Sequence, residues 1–302
     1  MTMISGTARI TPGILDDQMT STLDADQLAI AQLQEKISSG QAISKPSDDP
    51  VGVVQSLSTQ AALNRGQQYQ SNAQDGIGWL STANTALSSA VTQLYNIRNI
   101  ALGAGSNSSQ PSTYADLAQQ VTGIRQELLA LANTTYLNRP VFAGTSSTPE
   151  AYDPAGNYLG SGASPTRTVA PGTSVPVSVT NPFGSGSSNS VFAAVDQVIS
   201  DLQTGTPASI ANLTGTDLGA LDNALNSLSS ASGQVGESYQ QMQYLSQQAV
   251  AAQQTLSTRL AGLQDVDLAK AVTDLQMQQN SYQAALWATS KVVQPSLAQF
   301  LS

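Results

Sequence analysis

Asp48 and Asp49 stand side by side in the stretch Lys45-Pro46-Ser47-Asp48-Asp49-Pro50. Adjacent carboxylates can hold a divalent cation or pass a proton. Both roles need further residues, and no third ligand lies nearby in sequence. The chain contains neither His nor Cys. That excludes Cys/His zinc sites, Ser-His-Asp and Cys-His catalysis, thiol redox chemistry and haem ligation by His. The two carboxylates read more simply as a helix start. Ser47 can cap, the acidic pair favours the positive helix end, and Pro50 is tolerated in the first turn. Gly144-Thr145 lacks the lysine and spacing of a phosphate loop and reads as a turn. Asn107-Ser108-Ser109, Asn133-Thr134-Thr135 and Asn212-Leu213-Thr214 match the N-glycosylation pattern, as chance allows in a chain so rich in Ser and Asn. The sequence offers no catalytic set, no metal set and no cofactor site. It reads as an assembly subunit rather than an enzyme.

Composition points the same way. Hydrophobic residues make up 40% of the 302, enough for a core, but aromatics are only 5%. Such a core draws on Leu, Val, Ile and Ala, as helical bundles do. Charged residues are 10%, against roughly 25% in an ordinary soluble protein. Ser, Thr, Gln and Asn take over solvation, leaving neutral flanks where a coiled coil usually carries Glu and Lys. Neutral flanks suit a surface packed against many copies of itself. The net charge of −9 disfavours nucleic acid and anionic membrane surfaces, which need basic patches. No apolar run is long enough for a transmembrane helix. The opening Met1-Thr2-Met3-Ile4-Ser5-Gly6 lacks the basic and apolar blocks of a cleavable signal.

The elements follow from periodicity. Leu23, Ile30 and Ile37 recur every seven residues, with Leu33 between, and predict a helix over 14–39 closed by Gly40. A second helix is predicted from Asp49 to about Ala104, seamed by Ile77, Leu80, Leu87, Val91 and Leu94. Gly66, Gly76 and Gly78 are weak points where it can bend or break. Leu117, Val121, Ile124, Leu128 and Leu131 seam a helix over 112–134. Composition then turns to Gly, Pro, Ser and Thr, with strands expected at Arg139–Ala143, Arg167–Ala170 and Ser174–Thr180. Val191–Leu202 reads as a short helix.

The C-terminal third carries the clearest pattern. Steps of three and four run from Leu218 through Leu221, Leu225, Leu228, Ser232, Val235, Tyr239, Met242, Ser246, Ala249, Gln253, Leu256 and Leu260 to Leu263. A helix of that length is roughly 70 Å. A second phase follows: Leu268, Val272, Leu275, Gln279, Tyr282, Leu286, Thr289 and Val293, with Pro295 expected to end or kink it. The expected fold is mainly α with a small β insertion. It is an elongated antiparallel α-helical coiled-coil bundle of paired N- and C-terminal segments. Residues 1–137 form the N-terminal half of the helical core, 138–190 a small β-rich outer domain, and 191–302 the C-terminal half. The apolar ends Ile10, Ile14, Leu297, Phe300 and Leu301 suit burial against other subunits better than burial in a monomer.

Ile37-Ser38-Ser39-Gly40-Gln41-Ala42-Ile43-Ser44-Lys45-Pro46-Ser47-Asp48-Asp49-Pro50-Val51-Gly52 resembles the signature turn of the flagellin superfamily, in the form carried by its hook-associated members. Its marked positions are Gly40, Ile43, Pro46, Ser47, Asp48, Asp49, Pro50 and Gly52. Asn133-Thr134-Thr135 with Arg139-Pro140-Val141-Phe142-Ala143-Gly144-Thr145 is similar to the family's entry into its outer domain. Leu263-Gln264-Asp265-Val266-Asp267-Leu268-Ala269 and Tyr282-Gln283-Ala284-Ala285-Leu286 also match. The resemblance implies a flagellin-like structural subunit of the bacterial flagellum with no cofactor. Such a subunit leaves the cell through the type III export apparatus with a cytoplasmic chaperone, without a cleaved signal. It then forms a self-associated ring between hook-associated protein 1 and flagellin, at the junction of hook and filament. The resemblance implies intersubunit contacts through Ile10, Ile14, Leu23, Ile30, Ile37, Leu286, Val293, Leu297, Phe300 and Leu301. Filament flagellin is the nearest alternative, and a secreted coiled-coil adhesin or translocator a more distant one.

Overall fold

The structure, a computed structural model, describes residues 12–106, 111–186 and 190–300. In chain order its elements are α1 (Pro12–Ser39), α2 (Pro50–Ser106), α3 (Pro111–Ala132), β1 (Thr135–Tyr136), β2 (Arg139–Pro140), β3 (Thr166–Ala170), β4 (Thr173–Pro176), α4 (Val191–Thr204), α5 (Pro207–Thr214), α6 (Thr216–Gln264) and α7 (Leu268–Phe300). The chain is thus mainly α with two small antiparallel hairpins. It divides into two compact units. Unit 1 comprises residues 1–63 and 254–302, and unit 2 residues 64–253.

Unit 2 closes around its own core. On α2, Leu80, Ala83, Leu87, Ala90, Leu94, Ile97 and Ala101 step by three and four and are all buried. That stripe is the face an amphipathic helix turns inward. On α6, Leu221, Leu225, Leu228, Val235 and Met242 are buried in the same cluster, joined by Ala118, Val121 and Leu128 of α3. Arg98 Nε to Asp222 Oδ1 (2.8 Å) and Ser232 Oγ to Asn84 Oδ1 (3.3 Å) tie α2 to α6 at the rim. The glycines expected to weaken α2 do not interrupt it. A Cβ at Gly76 would meet Met242 Cε at 2.5 Å, and one at Gly78 would meet Tyr136 Oη at 2.4 Å. Both are places where neighbours approach the helix backbone.

The strands are shorter than the pattern predicts. The run from Arg139 gives only Arg139–Pro140, because Leu137 and Asn138 both adopt positive φ and turn β1 tightly onto β2. Beyond it, side chains take up the backbone. Trp79 Nε1 and Ser178 Oγ donate to the Val141 carbonyl, and Tyr158 Oη donates to Phe142 O at 3.0 Å. The second hairpin pairs Thr166 with Pro176, so its outer strand ends before Thr180. Phe142, Tyr152, Phe183 and Phe192 meet with ring centroids 5.6–5.9 Å apart. These four rings pack together here, while the helical seams rest mainly on aliphatic residues. Helix α5 lacks a seam in the sequence. It starts at the Thr206 cap, whose Oγ1 accepts from Ser209 N, with Pro207 in its first turn.

In unit 1, α1 and α7 run antiparallel. Gln278 Nε2 donates to Asp26 Oδ1 at 2.8 Å, and Gln27 Nε2 donates to Tyr282 Oη at 2.6 Å. Helix α7 continues through Pro295 to Phe300, so the proline does not end it. Among the described residues, Leu63 and Ala271 are the apolar side chains that unit 1 buries.

Candidate assembly surface

The site begins at the turn between α1 and α2. Gly40 leaves α1 with φ +71° and donates to Lys36 O at 2.9 Å. Glycine takes that left-handed conformation without a Cβ clash. Asp48 then folds the loop over itself. Its Oδ2 accepts from Lys45 N (2.9 Å), Ser44 N (3.1 Å) and Ser44 Oγ (3.1 Å). The Lys45 amide, and then that of Ser44, hold its carboxyl below the usual carboxylate range. Asp49, not Ser47, caps α2: its Oδ1 accepts from Val51 N at 3.1 Å and Gly52 N at 2.9 Å. The cap falls there because Pro50 is the first helical residue and leaves the next two amides as the free donors. A Cβ on Gly52 would lie 2.4 Å from Asp49 Oδ2 and 2.7 Å from Ile43 Cδ1. Both carboxylates therefore build the turn.

This turn clasps the link between α6 and α7. Ala42 N donates to Gln264 O at 2.7 Å, and Val266 N donates to Gly40 O at 2.9 Å. Gln41 and Asp265 form the antiparallel bridge between them. Asp267 starts α7, with Oδ1 accepting from Lys270 N at 3.1 Å. Two backbone hydrogen bonds thus fix where α7 begins and how it is rotated.

That rotation differs from the predicted seam by about one residue. Ala271 is buried, and Leu275, Gln278, Tyr282, Ala285 and Thr289 are half-buried. Leu268 is 54% exposed and Leu286 42%; Val272 and Gln279 are exposed too. The polar pairs of Gln278 and Tyr282 with α1 help select this face, and a count of apolar residues does not register them. Trp287, which the heptad phase skips, is 72% exposed. On α1, Leu23, Ile30 and Ile37 are half-buried, while Ile14 is 53% exposed. Val51, Val54 and Leu57 form a further exposed apolar row on the first turns of α2. Their i, i+3 spacing was the available signal. Gln18, Met19, Thr22, Ala285, Ala288 and Thr289 line a mainly apolar groove of about 180 Å³ between α1 and α7. Val293, Leu297 and Phe300 belong to α7. Ile10 and Leu301 lie outside the described residues.

The Asn133 pattern has another use. Its Oδ1 accepts from Ala151 N and Tyr152 N, both at 2.9 Å, and its Nδ2 donates to Tyr152 O at 2.8 Å. The amide anchors the backbone at Ala151 and Tyr152.

Comparison with known proteins follows the same geometry. The profile of the bacterial flagellin N-terminal helical region matches residues 13–147, and that of the flagellin C-terminal helical region matches 218–301. The chain belongs to the flagellin family. Within that family it is similar to flagellar hook-associated protein 3 of Salmonella typhimurium, 26% identical over 302 residues, covering 92% of this chain and 94% of the relative. The protein of the same name from Escherichia coli is 27% identical over 288 residues, covering 88% and 90%. The crystal structure of the flagellar junction protein FlgL from Legionella pneumophila shares the fold. Its TM-score is 0.56 at 17% identity, covering 71% of this chain and all of that one. A flagellin-family chain is a structural component of the flagellum and not an enzyme. No helix among the described residues is long and apolar enough to cross a membrane.

Proposed function

We propose that this chain forms the ring that joins hook-associated protein 1 to the flagellin filament. The observation that carries the reading is the clasped turn of Gly40–Gly52, in a chain that matches hook-associated protein 3 over nearly its whole length. The clasp holds the N- and C-terminal helices together. They leave Ile14, Leu268, Leu286 and Trp287 exposed on the same unit. Apolar rows of this kind gain roughly 25 cal/mol per Å² when neighbouring subunits cover them. Leu23, Ile30 and Ile37 stiffen the pair from within. In this reading Ile10, Val293, Leu297, Phe300 and Leu301 also make contacts with neighbouring subunits. In this reading residues 138–190 serve as the outer domain. The chain reaches this position through the type III export apparatus, escorted by a cytoplasmic chaperone.

The test is deletion of the gene together with labelling of isolated flagella. A junction subunit gives one band at the hook end, and its loss releases flagellin into the medium unattached. Label along the whole filament, or full filaments on the deletion strain, would overturn the reading; the first outcome assigns the chain as filament flagellin.

A further inference from the structure

Unit 2 holds a pair of buried acids that the assembly surface does not use. Asp201 on α4 is 7% exposed and Asp217, in the first turn of α6, is 2% exposed. The Asp217 carboxyl lies within hydrogen-bond reach of Asp201. Asp201 Oδ2 is occupied, accepting from Asn212 Nδ2 at 3.2 Å and from Gln197 Nε2 at 3.3 Å. Asp217 Oδ1 has a long contact from Thr216 Oγ1 at 3.5 Å, and Asp217 Oδ2 is buried with no partner.

The surroundings supply no compensating charge. Helix α5 carries no titratable side chain. On α4, Asp196 is committed to Arg125, and on α6, Asp222 is committed to Arg98 of α2. Tyr114 of α3 approaches this corner beside Gly205, and Asp116 on the same helix is exposed. The end of α2 presents Gly105, packed toward Thr214 and Ile210. Among the described residues, no ion pair joins a Lys or Arg to Asp201 or Asp217.

Two buried carboxylates in contact cannot both stay charged without a partner. A divalent cation needs six or more oxygen ligands if it is calcium, or octahedral geometry if it is magnesium. This corner presents two carboxylates, one already holding two amides. A proton needs only the orphaned Asp217 Oδ2 as its seat and Asp201 as its acceptor.

We propose that Asp201 and Asp217 share one proton, and that this proton latches the α4–α5–α6 corner closed while its loss loosens it. Asp217 Oδ2 carries the proton and donates it to the Asp201 carboxylate. When the proton leaves to water, two like charges face each other and the corner loosens. Burial first, and Asp201 second, push the Asp217 carboxyl up to about 6. A raised value means that the folded state binds the proton more tightly. The stabilisation is complete below the ordinary carboxyl range and is lost as pH rises through about 6.

The test uses the full chain, with melting curves from pH 4.5 to 7.5 and amide exchange of Pro207–Thr214. Asp217→Asn replaces the shared proton with a permanent N–H donor. It is expected to melt about 2–4 °C above the parent at pH 7.5, with the gap narrowing steadily towards pH 4.5. Asp201→Asn should flatten the profile in the same way, and the double variant should gain nothing more. Amides of α5 should exchange more slowly in either single variant than in the parent at pH 7.5. Parallel profiles for parent and both single variants would overturn the proposal. So would closure of the gap at pH 7.5 by 1 mM calcium or magnesium chloride (about the affinity range of weak sites), which would assign a metal ion instead.

Discussion

The helices of unit 2 and those of unit 1 carry the same kind of sequence, Ala- and Gln-rich with apolar steps of three and four, yet they reach different states of burial. In unit 2 the stripe from Leu80 to Ala101 disappears completely beneath α3 and α6 side chains. In unit 1, Leu63 and Ala271 are the described apolar residues that count as buried, at 8% and 5% exposure, and Leu268, Leu286 and Trp287 face solvent. Binary pattern alone therefore does not decide whether a helix is finished. Unit 2 has three layers of partners, the helices, the hairpins and the aromatic cluster. Unit 1 has α1 and α7, the first turns of α2, the last turns of α6 and the clasp, and its remaining apolar area is available to other copies.

The contrast can be broken most strongly from the finished side. Leu87→Ala removes a side chain with no exposure at all, and such truncations cost about 2–5 kcal/mol. Chemical denaturation of the full chain should show that loss, with filament attachment surviving in whatever fraction stays folded. Gly52→Ala comes next. It forces a methyl group against Asp49 and Ile43, and overpacking of this kind costs about 1–3 kcal/mol. Amide exchange should accelerate across 12–63 and 254–300 while 64–253 stays protected; equal loosening of both units would erase the distinction between them.

Acid sharpens the comparison without a cavity. Asp48 is held low by the Lys45 and Ser44 amides, so it contributes stability above the ordinary carboxylate range, and that contribution is lost as pH falls through its lowered value. Asp48→Asn should flatten the acid limb of protection around Ser44 and Lys45. Asp217 has the opposite sign, so acid should loosen the turn while tightening the α4–α5–α6 corner. The smallest effect on the isolated chain is expected for Leu286→Ala with Trp287→Ala. Exposed sites move stability by no more than about 0.5 kcal/mol. The same double variant should leave flagellin unattached in motility and filament-binding assays. A large fall in melting temperature would mean that these side chains serve the monomer.

What the sequence discloses differs between elements for physical reasons. Every one of the fourteen positions from Leu218 to Leu263 is buried or half-buried, because an uninterrupted repeat leaves one orientation for the helix. Helix α7 has a comparable repeat and turns a different edge inward. Its rotation is set at the start by Val266 bonded to Gly40 and by the Asp267 cap, and periodicity is blind to both. The turn itself was legible as a helix start, but the choice of Asp49 over Ser47 depends on which amides Pro50 leaves free. The aromatic cluster was hidden because Phe142, Tyr152, Phe183 and Phe192 come from separate segments with no spacing rule between them.

The clasp also sets an order of events. Gln27 and Tyr282 are 255 residues apart, so unit 1 is made from contacts of very long sequence separation. Closing such a loop carries an entropic cost that grows with its length, and non-local pairing is slow. The contacts of unit 2 all lie within 64–253. Unit 2 can therefore be in place early, and the surface that meets other subunits is the last part of the chain to take shape.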